Sequence, residues 1–76
     1  MIAETVLWEA RRLPSVARCS VRSECAGVEL TICEGDVIAR RERYADRSTA
    51  FERARELRAA FEREGYVLTG ESGRAS

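Results

Sequence analysis

The side chains best suited to chemistry are a group of arginines in the middle of the chain. Guanidinium groups bind phosphate oxygens in a bidentate manner, so an arginine-rich strand could follow a nucleic-acid backbone. Trp8 or Tyr44 could then stack on exposed bases. The candidate interaction surface defined in this way comprises Trp8, Arg18, Arg22, Arg40, Arg41, Arg43, Tyr44 and Arg47.

The overall charge favours a different interpretation of the same arginines. The chain has 13 basic residues, all of them arginine, and 13 acidic residues, so its formal net charge is zero. Nucleic-acid-binding domains usually carry a basic excess on one face. The arginines could instead be solvated strand residues that pair with Glu29, Glu42 and the acids of a nearby helix. Nucleic-acid binding is therefore the alternative hypothesis here.

Three cysteines are the next candidates for chemistry. Cys19, Cys25 and Cys33 are separated by five and seven residues, which matches neither a zinc-type C-x-x-C pair nor a redox motif. The chain has no histidine, the commonest metal ligand and general base. A reactive thiolate needs a positive neighbour, whereas Cys25 follows Glu24. The sequence therefore predicts free thiols, no metal, no cofactor, no catalytic residue and no enzymatic activity.

Length and composition indicate one small globular domain. A chain of 76 residues buries about 60% of the surface that its unfolded form exposes, so a large preformed cleft is not expected. The longest uninterrupted apolar stretches, such as residues 6–8, are far shorter than the roughly 20 residues of a membrane span. Residues 1–4 contain an acid where a secretory leader has positive charge. We expect a soluble, cytoplasmic protein.

The clearest element is a helix over residues 47–64. Apolar residues recur at helical spacing along this segment, and charged residues lie between them. Asp46 is the preferred N-cap, with Ser48 and Thr49 as alternatives. Gly65 suits the position that ends a helix. The apolar stripe must pack on another layer, because charge pairs along a helix contribute only a few tenths of a kcal/mol each.

That layer is predicted to be an antiparallel sheet. Three runs ahead of the helix alternate between apolar and polar residues, as strands with one buried face do. These runs cover residues 16–22, 28–32 and 37–44. The helix would bury Phe51 and Phe61 against the sheet.

The register of the last hairpin stays open at this point. A two-residue turn centred on residues 34–35 places Glu29 opposite Arg40, whereas one centred on residues 35–36 places it opposite Glu42. Directly opposed like charges are unfavourable, which favours the first turn or a bulged hairpin. A slip of one residue exchanges the two faces of the last strand.

The two ends of the chain are less defined. Residues 2–13 fit either a helix that ends at Pro14 or a strand with Val6, Trp8 and Ala10 on one face. Residues 69–76 are small and polar, which predicts a disordered tail after a single domain of residues 1–68.

Several short motifs resemble those of a group of small bacterial proteins. The motifs are Leu7-Trp8-x-Ala10-Arg11-Arg12, Ala17-Arg18-Cys19-x-Val21-Arg22 and Gly27-x-Glu29-Leu30, before a glycine turn, an arginine-containing strand and a helix that ends at Gly65-Tyr66. The resemblance covers about residues 7–66. It implies a short antiparallel sheet followed by one helix, with residues 2–13 as a strand, and it brings no activity. The chain departs from the group at Gly35-Asp36, where such proteins often have the glycine second.

The implied order of elements is also similar to that of known binding folds. Single-strand-binding coactivator domains and whirly-type proteins share it. A helical opening segment would instead resemble a double-stranded RNA-binding domain, but residues 46–49 lack the lysine cluster that such domains carry there. A shared topology does not establish a shared function.

The predicted fold is α+β, an antiparallel meander of three or four strands with a C-terminal helix packed on one face (ββββα). Such a sheet leaves its other face open to water or a partner. If Trp8, Cys33, Ile38 or Tyr44 lie there, they form an apolar patch typical of an interface. We expect a non-enzymatic protein-interaction module, or a small regulator or inhibitor, that forms a homodimer through its open sheet or an edge strand and has no membrane partner.

Overall fold

A computed structural model describes residues 4–71 and has five strands and one helix. The elements are β1 (Glu4–Arg12), β2 (Ser15–Glu24), β3 (Gly27–Glu34), β4 (Val37–Tyr44), α1 (Arg47–Arg63) and β5 (Val67–Glu71). The strands form one antiparallel sheet in the order β4-β3-β2-β1-β5. Helix α1 packs on one face, where it contacts β3, β4 and β1. The α+β class and the ββββα order are confirmed, and the opening segment is a strand.

Strand β5 is an addition to the predicted meander. It pairs with β1, where Ala10 lies opposite Leu68, and the Thr69 hydroxyl donates to the Glu9 carbonyl oxygen at 3.3 Å. The first three residues of the predicted tail therefore lie in a strand, and residues 72–76 lie outside the described residues. The two strands are far apart in the sequence, and β5 covers the edge of β1 that the predicted meander would leave free.

Helix α1 begins and ends where its sequence pattern indicates. The Asp46 carboxylate accepts a hydrogen bond from the Thr49 backbone N–H at 2.8 Å, so Asp46 is the N-cap and its pKa is lowered by that bond. One prediction is wrong: Phe51 is not in the core but 38% exposed, and the Arg47 guanidinium lies 5.2 Å from its ring centroid. Among residues 4–71, no helix is long and apolar enough to cross a membrane.

The core lies between α1 and the sheet and centres on Trp8. The indole N–H of Trp8 donates to the Ala54 carbonyl oxygen at 3.0 Å, and its ring centroid lies 5.5 Å from that of Phe61. Phe61 also meets Tyr66 edge-on at 5.0 Å. Burial raises the pKa of the Cys19 thiol to about 12, so this cysteine packs as a small hydrophobic residue.

A bulge in β4 settles the register of the last hairpin. Glu34 pairs with Val37, so the turn is formed by residues 35–36, and the register then shifts by one residue between Cys33 and Ile32. As a result Glu29 lies opposite Arg43 instead of Glu42. The bulge thus removes the like-charge pair that this turn would otherwise create.

A cluster of charges joins β4 to α1 on the helix side of the sheet. The Arg53 guanidinium donates to the Glu42 carboxylate through Nε at 3.1 Å, and Arg40 donates to it at 2.9 Å. The Tyr44 hydroxyl also donates to Glu42, which raises the pKa of Tyr44. These hydrogen bonds, the one from Arg53 first, lower the pKa of Glu42 from 4.5 to about 2.

We expect this cluster to make the protein sensitive to acid. Because the pKa of Glu42 is lower in the folded state, its contribution is complete above pH 4.5 and is lost as the pH falls towards 2. The side chain is 20% exposed, so solvent limits the contribution to about 1–2 kcal/mol. Urea unfolding at pH 6, 4 and 2.5 tests this. The Glu42→Gln variant should lose less unfolding free energy than the wild type over that range, and equal losses would contradict the expectation.

Candidate interaction surface

The strand register assigns every sheet residue to one of two faces, since directly opposed residues on antiparallel strands share a face. Trp8, Cys19 and Ile32 face α1. Among residues 4–71, no helix or strand covers the opposite side of the sheet, which we call the open face. It carries Glu4, Val6, Glu9, Arg11, Val16, Arg18, Ser20, Arg22, Glu24, Glu29, Thr31, Cys33, Ile38, Arg41, Arg43 and Val67.

One half of the open face, near the β2–β3 turn, is a network of arginines around a buried carboxylate. Glu29 is 4% exposed although no secondary-structure element lies over it. Its oxygens lie 2.9 Å from Arg22 Nη2, 3.6 Å from Arg41 Nε and 3.7 Å from Arg43 Nε. Glu24 extends the network, at 3.1 Å from Arg22. The long arginine side chains lie across Glu29 and bury it. We call this half of the open face the charged half.

The other half of the open face holds apolar side chains. Ile38 is 50% exposed, and Cys33 opposite it and Val16 on β2 are half-buried. This is the end of the sheet where the β1–β2 and β3–β4 turns meet, since the Gly35 N–H donates to the Val16 carbonyl oxygen at 2.8 Å.

The same end of the sheet carries most of the large apolar side chains that are exposed among residues 4–71. Leu13 in the β1–β2 turn is 77% exposed, and Val37 and Val67 are each 66% exposed. Together with Ile38 they are four of the five such residues, and Phe51 is the fifth. We call this end the apolar end.

The structure brings together half of the predicted interaction residues. Arg22, Arg41 and Arg43 meet in the charged half, and Arg18 lies next to it on the open face, where it pairs with Glu9 at 2.8 Å.

The other four predicted residues lie on the helix side of the sheet. The prediction that Trp8 lies on an interaction surface is wrong, because Trp8 is 2% exposed and belongs to the core. Arg40 and Tyr44 both bind Glu42, and Arg47 donates to the Ser23 hydroxyl at 3.2 Å from the first turn of α1. None of these four shares a face with the arginine network.

Sequence reasoning missed the apolar end. Leu13 lies in a turn, and Val37 and Val67 are the first residues of β4 and β5, so the alternation within one strand does not show that they lie close together. The available signal was positional, because a meander places alternate turns at the same end of a sheet. Strand β5 adds Val67 to that end, and its pairing could not be predicted locally.

A pocket of ≈ 260 Å³ lies on the helix side, between the C-terminal half of α1 and the β3–β4 hairpin. Ile32, Leu57 and Phe61 contribute apolar walls, and Arg40 and Glu64 contribute polar atoms. No cysteine, serine or threonine of the described segment lines it. Between residues 4 and 71, no three cysteine, aspartate or glutamate side chains are grouped to hold a metal ion. The pocket between α1 and the β3–β4 hairpin can accommodate an apolar side chain.

Comparison with protein-family models, with curated proteins and with solved structures finds no match to this chain.

Proposed function

We propose that this chain is a non-catalytic protein-interaction module that associates with a second copy of itself through the open face. The observation that carries the proposal is the combination, on one uncovered face, of apolar side chains at one end (Ile38, Cys33 and Val16) and a charged half whose arginines and glutamates nearly balance. The three cysteines are free thiols, which fits a reducing cytoplasm as the setting.

The apolar end supports association because burying its exposed apolar surface away from water is energetically favourable. Monomeric proteins rarely expose contiguous apolar patches, and such patches with polar rims usually mark contact sites. Ile38 and Cys33 lie side by side on neighbouring strands, with the Arg18–Glu9 pair at their margin. A charged rim around an apolar centre is the usual anatomy of a protein–protein interface.

The balance of charges favours a second copy over a strongly charged partner. The open face carries five arginines and four glutamates, which are Arg11, Arg18, Arg22, Arg41, Arg43, Glu4, Glu9, Glu24 and Glu29. A surface that contains both signs in similar number can be complementary to itself.

The size of the open face is sufficient for a weak dimer. Four strands of about 8 residues, spaced by about 4.8 Å with a rise of about 3.3 Å per residue, cover roughly 500 Å². Two copies would bury about 1,000 Å² in total, which is the lower limit of a specific interface. We therefore expect a dissociation constant in the micromolar range.

Nucleic-acid binding remains the second candidate because Arg41 and Arg43 expose 54% and 72% of their side chains on the open face. Their guanidinium groups already lie within 4 Å of the Glu29 carboxylate, which competes with a phosphate for them. A shift assay with single-stranded and duplex DNA and RNA at low salt distinguishes the two functions. Binding that weakens steeply with salt would favour this candidate over self-association.

The proposal predicts that Ile38→Asp weakens the dimer by at least about tenfold, because it places a charge in the apolar part of the interface. Size-exclusion chromatography with light scattering over a concentration series measures the effect. Phe51→Asp is the matched control, since it introduces the same charge at an exposed site on α1 and should leave the dimer unchanged. A wild-type chain that stays monomeric at high micromolar concentration would overturn the proposal.

A further inference from the structure

The open face can be written as rows that run across the strands from β1 to β4. The row nearest the apolar end is Glu9, Arg18, Cys33 and Ile38. The next is Val6, Ser20, Thr31 and Arg41, and the third is Glu4, Arg22, Glu29 and Arg43. The apolar and the charged residues of the face therefore occupy different rows.

Two copies that stack their open faces with two-fold symmetry have two simple choices of axis. An axis across the strands exchanges the first row with the third. It places Arg18 against the second copy's Arg22 and Glu9 against the second copy's Glu4, so that like charges oppose each other. It also places Ile38 against Arg43 of the second copy. The opposed like charges disfavour this arrangement.

An axis along the strands, between β2 and β3, keeps every row opposite itself and exchanges β1 with β4 and β2 with β3. The third row then places Glu4 against the second copy's Arg43, and Arg22 against the second copy's Glu29. The first row places Ile38 against the second copy's Glu9 and Cys33 against the second copy's Arg18. Opposite charges therefore meet in the third row, and no like charges oppose each other in the first.

We infer that the chain forms a two-fold dimer in which the open faces stack with the axis along the strands, held by reciprocal Glu4–Arg43 pairs between the copies. This inference rests on the proposed function and adds the geometry of the interface. It commits Glu4 of each copy to Arg43 of the other.

Charge exchange at Glu4 and Arg43 tests the geometry. Both side chains are exposed, but Glu4 accepts a hydrogen bond from the Ser20 hydroxyl at 3.0 Å and Arg43 Nε lies 3.7 Å from the Glu29 carboxylate, so circular dichroism and urea unfolding first check that Glu4→Arg and Arg43→Glu are folded. Arg43→Ala removes the same positive charge without placing a carboxylate beside Glu29, and it should also raise the dissociation constant. Each charge-reversal variant alone opposes like charges twice in the dimer, and its dissociation constant should rise at least about tenfold. An equimolar mixture of the two variants restores both pairs in a mixed dimer, whose affinity should return to within about threefold of the wild type.

The outcomes separate this inference from the proposed function. A dimer that Ile38→Asp disrupts, but whose variants fail to recombine, would overturn the axis and leave self-association standing. Tighter dimerisation of Glu4→Arg would favour the axis across the strands, which sets residue 4 against Glu9 of the second copy. A monomeric wild type would overturn both.

Discussion

Trp8→Ala is expected to lower the free energy of unfolding by about 3–5 kcal/mol. The side chain is 2% exposed, packs against Phe61 and donates its indole N–H to the Ala54 carbonyl oxygen. It is the main contact through which β1 meets the middle of α1. Since small domains have total stabilities of about 5–15 kcal/mol, this single change removes a large part of the stability.

Urea unfolding followed by far-UV circular dichroism measures this loss, because Trp8 is the only tryptophan and fluorescence disappears with it. Trp8→Phe is the matched control, since it keeps an aromatic ring but removes the indole hydrogen bond, and it should cost about 1–3 kcal/mol. A loss of less than 1 kcal/mol for Trp8→Ala would mean that Trp8 is not a core residue.

Gly27→Ala is expected to cost about 2–5 kcal/mol. Gly27 opens β3 with φ of 148°, a backbone conformation that residues with a Cβ rarely adopt. A methyl group at this position would also overlap the carbonyl oxygen of Tyr44, at the end of β4. That oxygen belongs to the backbone, so relief requires β3 and β4 to separate.

Gly35→Ala separates the two causes. Gly35 also has a positive φ, of 63°, but no atom lies within 4 Å of the Cβ that alanine would add. It should therefore show the cost of the backbone conformation alone, about 1 kcal/mol. Thermal unfolding of both variants gives the comparison, and equal melting temperatures would contradict the steric part of the argument.

The local parts of this fold could be predicted from the sequence because their signals are local. The N-cap at Asp46, the glycine after α1 and the alternation in β2 and β3 each follow from a few neighbouring residues. The faces of β1 and β4 were harder to predict. The register of β1 shifts between Val6 and Trp8, which moves Val6 to the open face while Trp8 and Ala10 stay in the core.

The candidate site depended on those same irregularities. The bulge in β4 determines which face of the sheet Arg41 and Arg43 occupy. It is formed by alanine and arginine, and these residue types do not predict a bulge. The burial of Glu29 requires arginines from two neighbouring strands, and each strand read alone shows only a charged residue on a polar face. The equal numbers of arginines and acidic residues indicated pairing with Glu29 and Glu42, but they could not show which arginines each glutamate binds.

The position of β5 has a consequence for how the chain folds during synthesis. β1 is made first, but its outer edge pairs with residues such as Val67, which lies opposite Arg11 and emerges 56 residues later. At about 5–20 residues per second, that edge waits several seconds for its partner. Contacts this distant in sequence also slow the search for the native topology. We therefore expect ribosome-bound chains that stop before β5 to be the most prone to aggregation and to recruit chaperones.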